Sequence, residues 1–223
     1  MPKALLQKSV VGLSLLLISS FSAFAQTSPQ ELVMQVKHAV VVVTTYDEYQ
    51  QPLQQGSGFF IASDRIVTNH HTITSAREIR IKSFTGETAL VKDIFATDPR
   101  SDLAILQINS HCHDTTSLQV ADISANEGDG LLSVGNQVSA GWKVSAGKVG
   151  ATWNFEHLES RMQVTAGLVV GSSGEVLVKL RGYMVGIVVR HGTRRNSKIL
   201  VEQIPPTAVG GLFRPNLDKR APL

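Results

Sequence analysis

Gly56-Ser57-Gly58-Phe59-Phe60-Ile61-Ala62-Ser63-Asp64-Arg65-Ile66-Val67-Thr68-Asn69-His70-His71 reads as strand, turn, strand, with two histidines at its end. Gly56-Ser57-Gly58 opens the first strand, Ser63-Asp64 is the turn, and Arg65 to Thr68 is the second strand. Outward toward the N-terminus, Ala39 to Thr45 is a nearly unbroken β-branched run, which predicts a strand buried on both faces. A polar hairpin loop, Tyr46 to Gln55, joins it to the first stretch. Before it, Ser28-Pro29-Gln30-Glu31 predicts a helix start: Ser28 as N-cap, Pro29 at the first helical position and Glu31 closing a capping box. Leu32, Val33 and Val36 form the buried face of that helix. Outward toward the C-terminus, strands are expected over Glu78 to Ser83, Thr88 to Phe95 and Asp102 to Ile108, with a turn at Thr85-Gly86. Six short strands within about 70 residues are the spacing of a small antiparallel barrel or sandwich.

A polar stretch from Asn109 to Ser117 reads as a linker, and the second half repeats the style of the first. Its strands are expected at Gly130 to Val134, Trp142 to Trp153, Met162 to Val164, Val176 to Val178, Tyr183 to Val189 and Lys198 to Gln203. Pro205 and Pro206 end the last strand, and Thr207 to Phe213 is expected to form a closing turn of helix. The 223 residues are 43% apolar, enough for a sizeable core. The basic start Met1 to Lys8, the apolar run Val10 to Phe24 and Ala23-Phe24-Ala25 read as a secretory signal peptide over residues 1–25. The apolar run, interrupted by serines, falls short of the ~20 residues that a spanning helix needs, and no other segment reads as a membrane span.

The net charge is +3, and Lys3 and Lys8 fall in the leader, so the mature chain carries about +1, which is no nucleic-acid footprint. Arg190, Arg194, Arg195 and Lys198 read as a solvated basic loop. A single Cys112 makes no disulfide within the chain, so an exported fold has to be held by its core alone. His111-Cys112-His113-Asp114 puts four metal-ligand types in a row, but adjacent ligands rarely converge on one ion, and no metal is expected there. Trp142 and Trp153 read as core or strand residues.

Chemistry enters with Gly171-Ser172-Ser173-Gly174-Glu175. Alone it matches many ordinary β-turns. Upstream stand Thr68-Asn69-His70-His71-Thr72-Ile73 and Asp98-Pro99-Arg100-Ser101-Asp102-Leu103, which give His, then Asp, then Ser along the chain. A serine next to a base oriented by a carboxylate is the arrangement that activates a hydroxyl as a nucleophile.

These residues resemble a trypsin-like serine protease of the HtrA (Deg) family. The resemblance also rests on Gly56 to Ile61, Ser133-Val134-Gly135-Asn136, Ser145 to Val149 and Val185-Gly186-Ile187, and it covers the chain from Ala39 to about Phe213. It implies an all-β fold, a double six-stranded antiparallel β-barrel with short terminal helices. Barrel one is expected over about 38–110 and barrel two over about 125–205, in a protease domain spanning 26–223 with no PDZ domain after it. It implies His71, Asp102 and Ser173 as catalytic residues and the N–H groups of Gly171 and Ser173 as the oxyanion hole. Gly167, Gly186, Ile187 and Val188 are implied to border the primary substrate pocket, with no acid there to select Lys or Arg. It implies unfolded or misfolded protein substrates, no cofactor, and a periplasmic or secreted location in a Gram-negative bacterium. Because family members often form trimers, a homo-oligomer is implied as well.

The sequence departs from the family pattern at Glu175, where a second Gly is usual, and at Ala166 to Val170, which lacks the usual polar residues. The hairpin loop Tyr46 to Gln55 is also short. Glu175 could block the cleft, raise the pKa of His71 or point away. The first two outcomes would favour an alternative, a catalytically impaired protease-like binding or chaperone module.

Overall fold

A computed structural model of the chain describes residues 28–109, 112–120, 125–137, 141–155, 158–166, 172–180, 182–191, 199–203 and 209. The expected leader over 1–25 and all of the expected closing turn except Val209, which is helical and buried, lie outside them. So do Gly167, Gly171 and most of the basic loop. Helix α1 spans Pro29–Ala39, with Ser28 Oγ accepting from Glu31 N and the Glu31 carboxylate accepting from Ser28 N. This is the capping box that the four-residue start predicts. Leu32, Val36 and Ala39 are its buried residues, while Val33 is only partly covered.

Two closed six-stranded antiparallel barrels follow. The first is built from β1 (Val40–Tyr46), β2 (Pro52–Ala62), β3 (Arg65–Asn69), β4 (Glu78–Ser83), β5 (Thr88–Asp98) and β6 (Leu103–Ile108), in the order β1-β2-β3-β6-β5-β4. The second has β7 (Gly130–Gln137), β8 (Gly141–Phe155), β9 (Leu158–Val164), β10 (Val176–Lys179), β11 (Met184–His191) and β12 (Ile199–Gln203), in the order β10-β11-β12-β9-β8-β7. A helical turn, α2 (His70–Ile73), interrupts the first barrel after β3. No helix among the described residues is long and apolar enough to cross a membrane.

Alternation along the strands explains why the sequence is apolar on both faces. Val41, Val43, Phe60, Ile66, Ala104, Leu106 and Ile108 pack together inside barrel one. Leu131, Val149, Met162, Val164, Leu177, Val185 and Val188 do so inside barrel two. The residues between them in the chain, among them Val40, Phe59, Val67, Leu103, Ile105, Val134, Val176, Val178 and Ile187, form a third cluster shared by both barrels and α1. Strands β1, β2, β3, β6, β7, β10 and β11 each serve two cores at once. The linker and the residue after it belong to this assembly too: Thr116 Oγ1 donates to Gln35 O on α1 (2.8 Å), and Leu118 N donates to Phe60 O (2.9 Å).

Several expected boundaries shift: β5 runs on to Asp98, β7 to Gln137, and β9 starts at Leu158. Ala39 belongs to α1, and the hairpin loop is only residues 47–51, because Asp47 Oδ1 accepts from the N–H groups of Tyr49 (2.9 Å) and Gln51 (2.8 Å) and closes the chain early. Residues 52–55 then extend β2, with Thr45 paired to Gln54.

Gly58 sits where β2 crosses the barrel-one core. A Cβ there would stand 2.8 Å from Val67 O and 3.0 Å from Val43 Cγ2. Gly58→Ala is expected to cost about 1–3 kcal/mol through overpacking, read in urea unfolding as a lower midpoint with an unchanged slope.

Candidate active site

Strand register brings the histidine and the acid together. β3 and β6 are antiparallel neighbours whose last pair is Asn69↔Leu103. The next residues on each side, His70 and Asp102, therefore meet just past the ladder, where His70 N donates to Asp102 O (3.0 Å). Thr72 and Ile73 are buried and root the helical turn, while His71 remains 46% exposed at the side chain, facing Asp102.

Asp102 holds its neighbour at two points. Oδ1 accepts from His71 N (2.7 Å), and Oδ2 lies 2.6 Å from His71 Nδ1. An ionised carboxylate can only accept, so this contact fixes the hydrogen on Nδ1 and leaves the Nε2 lone pair as a base. Asp102 adopts φ 50°, in the left-handed region. Asp tolerates that region better than most residues. The conformation lets its carbonyl accept from His70 N and Asn69 Nδ2 (3.2 Å) while its carboxylate serves His71.

The preceding turn is clamped by Asp98, whose Oδ1 accepts from Arg100 N (3.0 Å) and Ser101 N (3.3 Å) and whose Oδ2 accepts from Ser101 Oγ. Burial alone would push Asp98 up. The hydrogen bonds from Ser101 and Arg100, with the Arg100 charge, outweigh it and hold the carboxyl below its ordinary range.

Ser173 stands in the turn 172–175, closed by Glu175 N donating to Ser172 O (3.0 Å). Gly174 is its third residue, with φ +80°, the position where such turns favour glycine. The turn is tied to β11 through Gly174 N to Val188 O (2.8 Å) and Val188 N to Glu175 O (2.9 Å), and to β2 through Ser57 N to Ser173 O (3.0 Å). Gly56 lies between the two halves of the site: a Cβ there would meet Thr72 Oγ1 at 3.1 Å on one side and Ser173 O at 3.6 Å on the other.

Of the residues expected to border a pocket, Gly186, Ile187 and Val188 lie on β11 beside this turn. The Ile187 side chain belongs to the shared cluster and that of Val188 to the barrel-two interior, and it is the Val188 main chain that bonds the turn. Gly167 and Gly171 lie outside the described residues. The Glu175 side chain is 1% exposed, folds over Gly135 and accepts from Ser133 Oγ.

Sequence reasoning missed Ser57. Its signal was present in the two glycines around it, which mark a strand approached closely by other backbone. Cys112 is buried, and its thiol is pushed up by that burial and by the Glu87 charge. Among the described residues no three His, Cys, Asp or Glu side chains are grouped to hold a metal ion.

A family model of the trypsin-like peptidase domain matches residues 56–187, more than half of the chain. The periplasmic serine endoprotease DegP of Escherichia coli K12 is 33% identical over 147 residues, which cover 63% of this chain and 31% of that protein. The periplasmic pH-dependent serine endoprotease DegQ of the same organism is 33% identical over 149 residues, covering 63% and 32%. The chain thus spans about a third of the length of these curated relatives. Among solved structures, the serine endoprotease from Yersinia pestis matches with a TM-score of 0.70 at 25% identity, over 84% of this chain and 65% of that one.

The Asp98 clamp carries a pH dependence. Its folded pKa is depressed, so its stabilisation is fully present above the ordinary Asp value of about 3.9 and is lost as pH falls through the lower folded value. Urea unfolding from pH 6 down to pH 2 is expected to show a steeper acid loss in the wild type than in Asp98→Asn. Equal slopes would show that the clamp contributes nothing.

Proposed function

The chain belongs to the trypsin-like peptidase domain family, and on that ground we propose that it is a serine endopeptidase with His71, Asp102 and Ser173 as its catalytic triad. The observation that carries this reading is the pair of hydrogen bonds that Asp102 accepts from His71, of which the one from Nδ1 sets the tautomer a general base requires. Ser173 Oγ attacks the carbonyl carbon of the scissile peptide bond, and its proton passes to His71 Nε2. Asp102 keeps the imidazole oriented and stabilises the imidazolium. The carbonyl oxygen, now negative, is held by the N–H groups of Gly171 and Ser173. His71 then gives its proton to the departing amine. Water, deprotonated by the same histidine, hydrolyses the acyl-enzyme and releases Ser173.

The burial of Glu175 against Gly135 and Ser133 supports the active endopeptidase over an impaired binding module. Substrates are proposed to be unfolded or misfolded proteins in the periplasm of a Gram-negative bacterium, a reading supported by the periplasmic endoproteases to which the chain is similar. A homo-oligomer, as a trimer, is carried by the family resemblance alone.

A fluorophosphonate is expected to add its mass to the peptide containing Ser173, and this labelling is expected to vanish in His71→Ala. Ser173→Ala is expected to abolish hydrolysis with the fold intact, and Asp102→Asn to lower kcat by about 10⁴. A folded wild type that takes no label would overturn the triad. In a peptide library, cleavage is expected after small aliphatic residues such as Val, Ala or Leu. Preferential cleavage after Lys or Arg would overturn the aliphatic pocket.

A further inference from the structure

Glu175 is a buried carboxylate that the chemistry above does not use. Burying such a group is costly unless hydrogen bonds compensate it, so its place calls for a reason. The reason lies in strand register. β10 and β7 are antiparallel, paired Leu177↔Ser133 and Val176↔Val134. Continued by one residue, that register sets Glu175 opposite Gly135, where no ladder pair forms. The Glu175 side chain lies on this position: a Cβ built on Gly135 would stand 2.1 Å from Glu175 Cγ and 3.0 Å from its Cβ. From there the carboxylate reaches Ser133 Oγ, two residues along β7 and so on the same face of the strand as Gly135.

We propose that Glu175 is a positioning residue for Ser173: laid over Gly135 and bonded to Ser133, its side chain extends the attachment of β10 to β7 past the last ladder pair and fixes the nucleophile turn on a third strand. The main chain of the turn is already tied to β2 by Ser57 and to β11 by Val188. Those bonds run along two sides of the turn. Glu175 supplies the side toward β7, one peptide away from Gly174. The Ser133 hydroxyl and the absent side chain of Gly135 belong to the same device, one as the donor and the other as the space. This inference rests on Ser173 being the nucleophile.

The test compares wild type, Glu175→Gln, Glu175→Ala, Ser133→Ala and the Glu175→Ala/Ser133→Ala double variant. The readouts are circular dichroism and saturation kinetics with a fluorophosphonate, which separate the maximal labelling rate from the half-saturating concentration. Glu175→Ala is expected to lower the maximal rate about 10–100-fold, as small misplacements of reacting groups do, with half-saturation within about twofold because ground-state binding is untouched. Glu175→Gln, whose amide oxygen can still accept from Ser133 Oγ, is expected to stay within about threefold of wild type. Ser133→Ala is expected to fall in the same direction as Glu175→Ala, and the double variant to be no slower than Glu175→Ala, as for two residues sharing one interaction.

A wild-type maximal rate in Glu175→Ala, or a loss in Glu175→Gln as large as in Glu175→Ala, overturns the proposal while leaving the triad standing. Absence of labelling in the folded wild type overturns the triad and this role with it. Should Glu175→Ala fail to fold, Ser133→Ala decides: a slowed maximal rate with native circular dichroism supports the proposal, and a wild-type rate overturns it.

Discussion

Ser57 is the point on which the site depends. One buried residue uses its N–H to hold Ser173 O, its carbonyl to accept from Thr68 Oγ1 (2.8 Å), and its hydroxyl to accept from Asn136 N (2.9 Å) and donate to Asn136 O (3.3 Å). These partners lie on the nucleophile turn, on β3 leading to His71, and on β7 of the other barrel. The spacing between the halves of the site is thus set by the main chain of β2. A Cβ at Gly174 would stand 2.0 Å from Ser57 O, so the turn can approach this strand only with glycine in that place. Each such bond contributes only about 1 kcal/mol net. The set matters because leaving any of these buried groups unpaired costs more than making the bond gains, so alternative packings of the two barrels are penalised.

The acid side of the site is organised differently. A left-handed backbone at Asp102 costs about 1–2 kcal/mol, and bonds from His70 N, Asn69 Nδ2, His71 N and His71 Nδ1 offset it. The same conformation that lets the carbonyl bind back to the end of β3 turns the carboxylate toward the imidazole. Strain and orientation have one cause here. Asp98, fixing the turn just before, keeps this geometry from relaxing by moving the chain upstream. The two halves of the site therefore follow different rules, with β-ladder extension governing His71 and Asp102 and close glycine packing governing Ser173.

Much of this was legible in the sequence, for particular reasons. Strands such as β1 and β6 declared themselves because each serves two cores, so Val40 to Val43 and Leu103 to Leu106 are apolar without alternation. The capping box over Ser28 to Glu31 is a local motif and needed no tertiary information. The start of β2 was misplaced because residues 52–55 are exposed, with a proline and two glutamines among them, and only pairing with β1 makes them strand. His71 and Asp102 could be named from their motifs, but their contact follows from the β3–β6 register, which no local pattern encodes. Ser57 stayed hidden for the same reason: its partners stand 11, 79 and 116 residues away.

Glu175 shows how far a linear reading can mislead about charge. In sequence it lies two residues from the nucleophile, and an exposed carboxylate there would perturb any anion formed at Ser173. Strand geometry decides otherwise. Successive side chains leave a strand on opposite faces, and with β10 about to begin at Val176, Glu175 falls on the face turned toward Gly135 and Ser133. A smaller residue at 175 would leave the space over Gly135 empty, and a larger one at 135 would expel the carboxylate. The pair is therefore readable only together, as one volume shared between two strands.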